Sequence, residues 1–239
     1  MKSTANAHQF GQLRARIEAA FSEPAIIVVT SAARGDGKSA TAFGLAESLA
    51  AADHHVLLAD ANVGAPTLPR IHRVPNAGGR PDVVTVSRYA KPVAGQHFDG
   101  ISFADERLEF GMSMDKVKAV CFDMRAHFDF VVVDTSQLLR SDLAVLFSTV
   151  ADGTLLTLRL GRLPSAADEE TVKTLTRLAA NVLGVLTVSS SVIKEFNAQR
   201  AAVFETIRIP TRHVTSHHAL VPETPREVAV ETSRSNVVS

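Results

Sequence analysis

The sequence predicts an α/β protein, a mostly parallel sheet with helices on both faces, and two observations carry that reading. Short runs rich in Val, Ile, Leu and Ala recur along the 239 residues, AIIVV at 25–29, VLLAD at 56–60, FVVVD at 130–134, GTLLTLRL at 153–160 and VLGVLTV at 182–188. Apolar runs without polar alternation mark strands buried on both faces. Helical patterns separate the runs, and strands alternating with helices build right-handed βαβ units around a parallel sheet.

Each element has its own signal. Phe10, Leu13, Ile17 and Phe21 recur at helical spacing, so residues 8–21 read as an amphipathic leading helix. Strand 25–29 follows, then a loop over Thr30–Gly37, and Ala42, Leu45, Ala46 and Leu49 mark a helix from Lys38 to near Asp53. Strand 56–60 closes on Asp60. Residues 61–111 are less regular: PNAGGRPDVV has turn chemistry leading into a short helix, and GISF at 100–103 is a strand candidate. A helix over 113–127 leads into strand 130–134, which closes on Asp134, and another helix spans about 142–151. After strand 153–160, Ser165 and Asp168 form a capping-box start for a helix through Val172, Leu175 and Leu178. Strand 182–188 and a helix over about 193–207 complete the alternation. Residues 1–210 are thus read as one domain. Beyond Pro210 the composition turns to His, Pro, Thr, Ser and Glu without periodicity, so 211–239 reads as a largely disordered tail.

Composition narrows the function classes. Lys plus Arg balance Asp plus Glu, 25 against 25, so bulk charge draws the chain to neither nucleic acid nor anionic lipid. The lone cysteine, Cys121, cannot close an internal disulfide, and with Val117, Val120 and Met124 it lies on one helical stripe, as a core thiol would. The first residues carry no apolar segment of signal-peptide length, and no stretch approaches about 20 consecutive apolar residues. The expectation is a soluble cytoplasmic protein without direct membrane insertion.

The chemistry concentrates in Thr30-Ser-Ala-Ala-Arg-Gly-Asp-Gly-Lys-Ser39, between a buried strand and a helix. Gly35 and Gly37 let backbone N–H groups approach a phosphate chain, and the helix N-terminus favours negative charge. The P-loop pattern assigns Lys38 to the β and γ phosphates and the Ser39 hydroxyl to Mg²⁺. Ala32 stands at the first glycine of G-x-x-x-x-G-K-[ST], so the literal pattern is not met. Two later strands also end in aspartates, and the carboxyl ends of strands line the ligand crevice of an open α/β sheet. The predicted site therefore binds ATP through Gly35, Asp36, Gly37, Lys38, Ser39 and Ala40. Ser39 and Asp134 hold Mg²⁺, and Lys38 and Asp60 are the catalytic candidates, Asp60 orienting Mg²⁺ or accepting a proton.

In these motifs the chain resembles the cytoplasmic ATPase domain of bacterial tyrosine kinases of capsule and exopolysaccharide synthesis, within the deviant P-loop ATPases. Ser31-Ala-Ala-Arg-Gly-Asp-Gly-Lys-Ser39 stands for that family's S-x-x-P-G-x-G-K-S, and Asp60-Ala61-Asn62 with Pro66-Thr67-Leu68 for its D-A-D and P-T-L. Pro75-Asn76 and Asp82-Val83-Val84 echo P-N…D-V-L. Phe128-Asp129-Phe130-Val131-Val132-Val133-Asp134-Thr135-Ser136-Gln137 follows Y-D-F-I-I-I-D-T-P-P. Ala151-Asp152-Gly153 through Gly161 and Asn181 through Val185 follow A-D-G-V-L-L-V-V-R-A-G and N-V-L-G-V.

The resemblance implies Mg-ATP binding with slow hydrolysis and a membrane-anchored polysaccharide co-polymerase adaptor as partner. It also leaves a homo-oligomer possible, through docking of the leading helix on a neighbour's ATP site, a contact weakened in this chain by His8 and Gly11 in place of the pattern's Glu and first Arg.

Departures bear on activity. Asn62 replaces the second aspartate of D-x-D, and an amide brings no charge to Mg²⁺ or to a hydroxyl proton. Gly64 replaces an arginine, Ser136-Gln137 replace two prolines, and Val188 replaces an asparagine beside the base. His8-Gln9-Phe10-Gly11-Gln12-Leu13-Arg14 keeps the apolar residues and one arginine of E-x-F-R-x-L-R, and Arg14 and Arg16 otherwise read as a solvated helix face. The chain holds one tyrosine, Tyr89, so the expected tyrosine cluster for autophosphorylation is missing. A nucleotide-dependent regulator with weak or no tyrosine kinase activity is therefore expected. A partitioning-type ATPase switch is the alternative, against which Ala33 counts, because it stands where that group carries a signature lysine. His213, His217 and His218 have helical metal-ligand spacing without a carboxylate or cysteine close in sequence, and His54-His55 reads as surface.

Overall fold

The computed structural model describes residues 4–63, 83–93, 96–103, 111–190, 193 and 204–207. Among the described residues eight strands form one sheet, β1 (Ala25–Ser31), β2 (Val56–Ala61), β3 (Lys91–Pro92), β4 (Asp99–Ser102), β5 (Phe130–Gln137), β6 (Gly153–Arg159), β7 (Val182–Val188) and β8 (Phe204–Ile207). Their order is β3-β4-β2-β5-β1-β6-β7-β8. From β4 to β7 every pairing is parallel, and β3 and β8 add antiparallel edges. The predicted α/β class and mostly parallel sheet are what the structure shows.

Burial on both faces explains the unbroken apolar runs. Ile27, Val29, Leu58 and Val132 face α1 (Thr4–Ala20) and α2 (Lys38–Ala50), packing with Phe10, Leu13, Ile17, Phe43 and Leu49. Ile26, Val28, Leu57, Val131 and Val133 face the opposite layer, with Val117, Val120, Cys121 and Met124 of α3 (Met114–Arg125) and Leu143 and Phe147 of α4 (Asp142–Val150). A smaller cluster joins Leu138, Ala144 and Leu156 to Leu175 of α5 (Ala166–Arg177). Cys121 is the core thiol its stripe predicts, and burial pushes its pKa up to about 12.

Local signals placed most boundaries. Ser113 and Ser141 accept from the backbone N–H groups of Lys116 and Ala144, capping α3 and α4. At α5, Asp168 accepts from the backbone N–H of Ser165 at 2.7 Å, the return bond of a capping box, and from the Ser165 hydroxyl at 2.7 Å. Tyr89 closes a 3₁₀ segment over Val83–Tyr89 and packs, partly buried, on the second core layer.

Three expectations need correction. The helix read over 193–207 does not run to its end: Phe204–Ile207 is β8, antiparallel to β7, where pairing with an existing edge overrides local propensity. Arg14 is not merely solvated, because it lies 3.5 Å from Glu18 and reaches the Ser48 carbonyl of α2 at 3.5 Å. His54 is built in rather than superficial, its ring nitrogens 2.9 and 2.8 Å from the carboxylates of Glu18 and Glu23 and its ring edge-on to Phe130. The tail 211–239, the histidines at 213, 217 and 218, and the matches at 64–68, 75–76 and 82 lie outside the described residues.

Candidate nucleotide site

The carboxyl ends of β1, β2 and β5 converge on the N-terminus of α2. The loop from Ala32 to Gly37 turns through Gly35 and Gly37, whose φ values of 84° and 89° suit glycine, and Gly37 is the residue from which α2 starts. The first turn of α2 therefore buries Lys38, Ser39 and Ala40 at the sheet's end, with the helix dipole directed at the loop.

Lys38 is 7% exposed and donates from Nζ to the Ser31 hydroxyl at 3.0 Å, while that hydroxyl donates to the Ala33 carbonyl at 2.7 Å. Burial lowers the Lys38 pKa, and the nearby charges of Asp134 and Asp36 oppose that shift. Asp60 and Asp134 are register partners on β2 and β5, both fully buried. Strand alternation puts them on the α2 side with Leu58 and Val132. Two adjacent buried carboxylates beside one buried ammonium form a donor set suited to a further cation, which is how Mg²⁺ would fit here.

Asp36 sits in the loop as predicted, but its carboxylate is spent on the protein. It pairs with Arg162 at 3.1 Å and accepts from the backbone N–H groups of Ala33 and Arg159, each at 3.3 Å. What it can offer a nucleotide is its backbone. Behind the loop lies Val188, so close that a Cβ on Gly37 would stand 2.7 Å from Val188 Cγ1. Hydroxyls tie the strand ends together: Thr30 donates to the Ser136 carbonyl, Thr135 to the Val29 carbonyl and Thr157 to the Thr30 carbonyl, at 3.0, 3.0 and 3.3 Å.

The structure thus brings Gly35, Asp36, Gly37, Lys38, Ser39, Ala40, Asp60 and Asp134 to the converging ends of three strands. Sequence reasoning missed Ser31 as the Lys38 partner, Arg162 as the anchor of Asp36, and the Ser136–Asn62 contact. A serine seven residues before the lysine was in view. Arg162 carried no local signal, because its partner is 126 residues away.

This arrangement defines an α/β protein of the P-loop NTPase type. No family model matches the chain. A tyrosine-protein kinase of Bacillus subtilis, YwqD, is 26% identical over 190 residues, spanning 76% of this chain and 80% of that protein. The kinase domain of the Escherichia coli tyrosine kinase ETK has the same fold, with a TM-score of 0.62 at 20% identity over 76% of this chain and 74% of that one. Cobyrinic acid a,c-diamide synthase from Mycobacterium smegmatis, solved with an ATP analogue and magnesium, superposes with a TM-score of 0.56 at 16% identity, over 68% and 72% of the two chains. The chain is similar to bacterial tyrosine kinase domains of the deviant P-loop ATPase group, as its motifs indicate.

Among the described residues, no helix is long and apolar enough to cross a membrane.

Proposed function

We propose that this chain binds Mg-ATP and acts as a nucleotide-dependent regulator, akin to the cytoplasmic tyrosine-kinase component of exopolysaccharide and capsule synthesis, with weak or no tyrosine kinase activity. The observation that carries it is the buried Lys38 at the N-terminus of α2, set among Ser31, Asp36 and Asp134. In this reading the loop N–H groups from Gly35 to Ala40 and Lys38 hold the phosphates, Ser39 and Asp134 hold Mg²⁺, and Asp60 orients the nucleophile. Bound Mg²⁺ supplies charge neutralisation at the terminal phosphates. The missing charge at Asn62 supports slow turnover, and the single tyrosine supports a role other than autokinase. The similarity to tyrosine kinases supports a cytoplasmic protein recruited to the inner face of the membrane by a co-polymerase adaptor.

Mg-ATP binding and phosphate release by the purified protein test this, with Lys38→Ala as control. Binding that disappears in Lys38→Ala, with negligible phosphate release, is the expected result. Brisk Lys38-dependent release would overturn the regulator, and absence of binding would overturn the nucleotide site.

A further inference from the structure

The loops that feed β1, β2 and β5 meet at the amino ends of those strands, the end of the sheet opposite the candidate nucleotide site. Strands of this length, rising about 3.3 Å per residue, set the two ends about 20 Å apart. Glu23 stands just before β1, His54 just before β2 and Asp129 immediately before β5. Each offers one ligand atom, and the three atoms lie within 4.8 Å of one another.

The cluster is held from several sides. His54 Nδ1 is 2.8 Å from Glu23 Oε1. Its Nε2 is 2.9 Å from Glu18 Oε1 on α1, and Arg14 Nε lies 3.5 Å from that same oxygen. The His54 ring stands edge-on to Phe130, with centroids 4.9 Å apart. Asp129 Oδ2 accepts the His55 backbone N–H at 2.6 Å. The Asp129 backbone N–H donates to the His55 carbonyl at 2.8 Å, and its carbonyl accepts from the Ala25 N–H at 3.0 Å.

This is the chemistry of a metal site. Imidazole with carboxylates is a zinc donor set, and a metal-bound histidine donates its other ring N–H to a carboxylate that fixes its tautomer. Glu18 is in place for that second role. With the proton on Nε2, Nδ1 presents its lone pair on the side of Glu23. Two carboxylates and a neutral imidazole suit a dication, and among the described residues no lysine or arginine pairs with Glu23 or Asp129. An ion about 2.1 Å from each ligand atom in a tetrahedral shell sets those atoms about 3.4 Å apart, within the range seen here.

We propose that Glu23, His54 and Asp129 bind a divalent cation of the zinc class, with solvent in the fourth position and Glu18 as the positioning residue. The ion ties together the loops entering three central strands, and Glu18 extends the tie to α1. The site is independent of nucleotide binding.

The test is a Zn²⁺ titration of the purified full chain, without nucleotide, in competition with a chromophoric chelator, and Co²⁺ absorption gives a second reading. Wild type is expected to hold one equivalent that His54→Gln does not, and Zn²⁺ should raise the thermal midpoint of wild type only. Glu23→Gln, at an exposed position, should weaken that equivalent by about tenfold or more, and Glu18→Gln, which keeps all three ligands, by about tenfold. Lys38→Ala should leave it unchanged. No saturable uptake by wild type, or equal uptake by wild type, His54→Gln and Glu23→Gln, overturns the site and leaves His54 as the centre of an ion pair only.

Discussion

Arg162 holds Asp36 through two parallel hydrogen bonds, Nε to Oδ1 and Nη2 to Oδ2, both 3.1 Å. The same guanidinium donates to Asp168 from Nη1 and Nη2 at 2.7 and 2.6 Å. Asp36 is 1% exposed, so its charge is tolerated only with this partner and the two backbone donors. One guanidinium thus joins the loop from Ala32 to Gly37 to the start of α5.

Arg162→Ala should therefore cost about 3 kcal/mol, the scale of leaving a buried charge unpaired. It should also weaken Mg-ATP binding, because the loop loses its anchor. Asp36→Asn added to Arg162→Ala removes the stranded charge and should recover part of the stability. Denaturant midpoints of the single and double variants check this, and additive losses would rule the pairing out.

The Asp168 carboxyl is held well below its ordinary value of 3.8, chiefly by the hydrogen bonds from Arg162 and then by those from Ser165. A depressed carboxylate contributes stability that is fully present above its unfolded pKa and is lost as pH falls through the folded one. This contribution should fade below about pH 4. Asp168→Asn should flatten the stability profile in that acid range and lower stability at neutral pH. Urea titrations at pH 7 and at steps below pH 5 read both effects.

Much of the fold and the loop was legible because their signals are local. Strands buried on both faces must be apolar throughout, and Gly35 and Gly37 stand where the loop before Lys38 turns left-handed. The rest depends on residues distant in sequence. Arg162 is told from any surface arginine only by Asp36, and Ser136 from any strand-end serine only by Asn62. Strand β8 is four residues long, and what makes it a strand is the free edge of β7. Local spacing favoured a helix there, and tertiary pairing won.

Cys121 offers a direct probe of the core. It is fully buried in the layer between the sheet and α3, with its thiol raised to about 12. At pH 8 almost none is thiolate, the form that reacts. Labelling by an aromatic disulfide reagent should be slow in native protein and immediate in denaturant, its rate following unfolding. Rapid labelling of the native protein would show that α3 does not cover the sheet as described.

Gly37 is the position where the loop has least latitude, for two separable reasons. Its φ of 89° is unfavourable to any residue with a Cβ, at about 1–2 kcal/mol. An added Cβ would also stand 2.7, 2.8 and 2.9 Å from Cγ1, Cβ and Cγ2 of Val188, which is fully buried at the end of β7 and cannot turn away. Gly37→Ala should thus destabilise by more than the backbone strain alone and reduce nucleotide affinity, because the loop must shift. Truncating the neighbour separates the reasons: Val188→Gly removes all three contacting carbons and leaves the strained φ. The double variant should lose less stability than the sum of the two singles. Strict additivity would show that Val188 does not back the loop, and a neutral Gly37→Ala would show that residue 37 is not left-handed there.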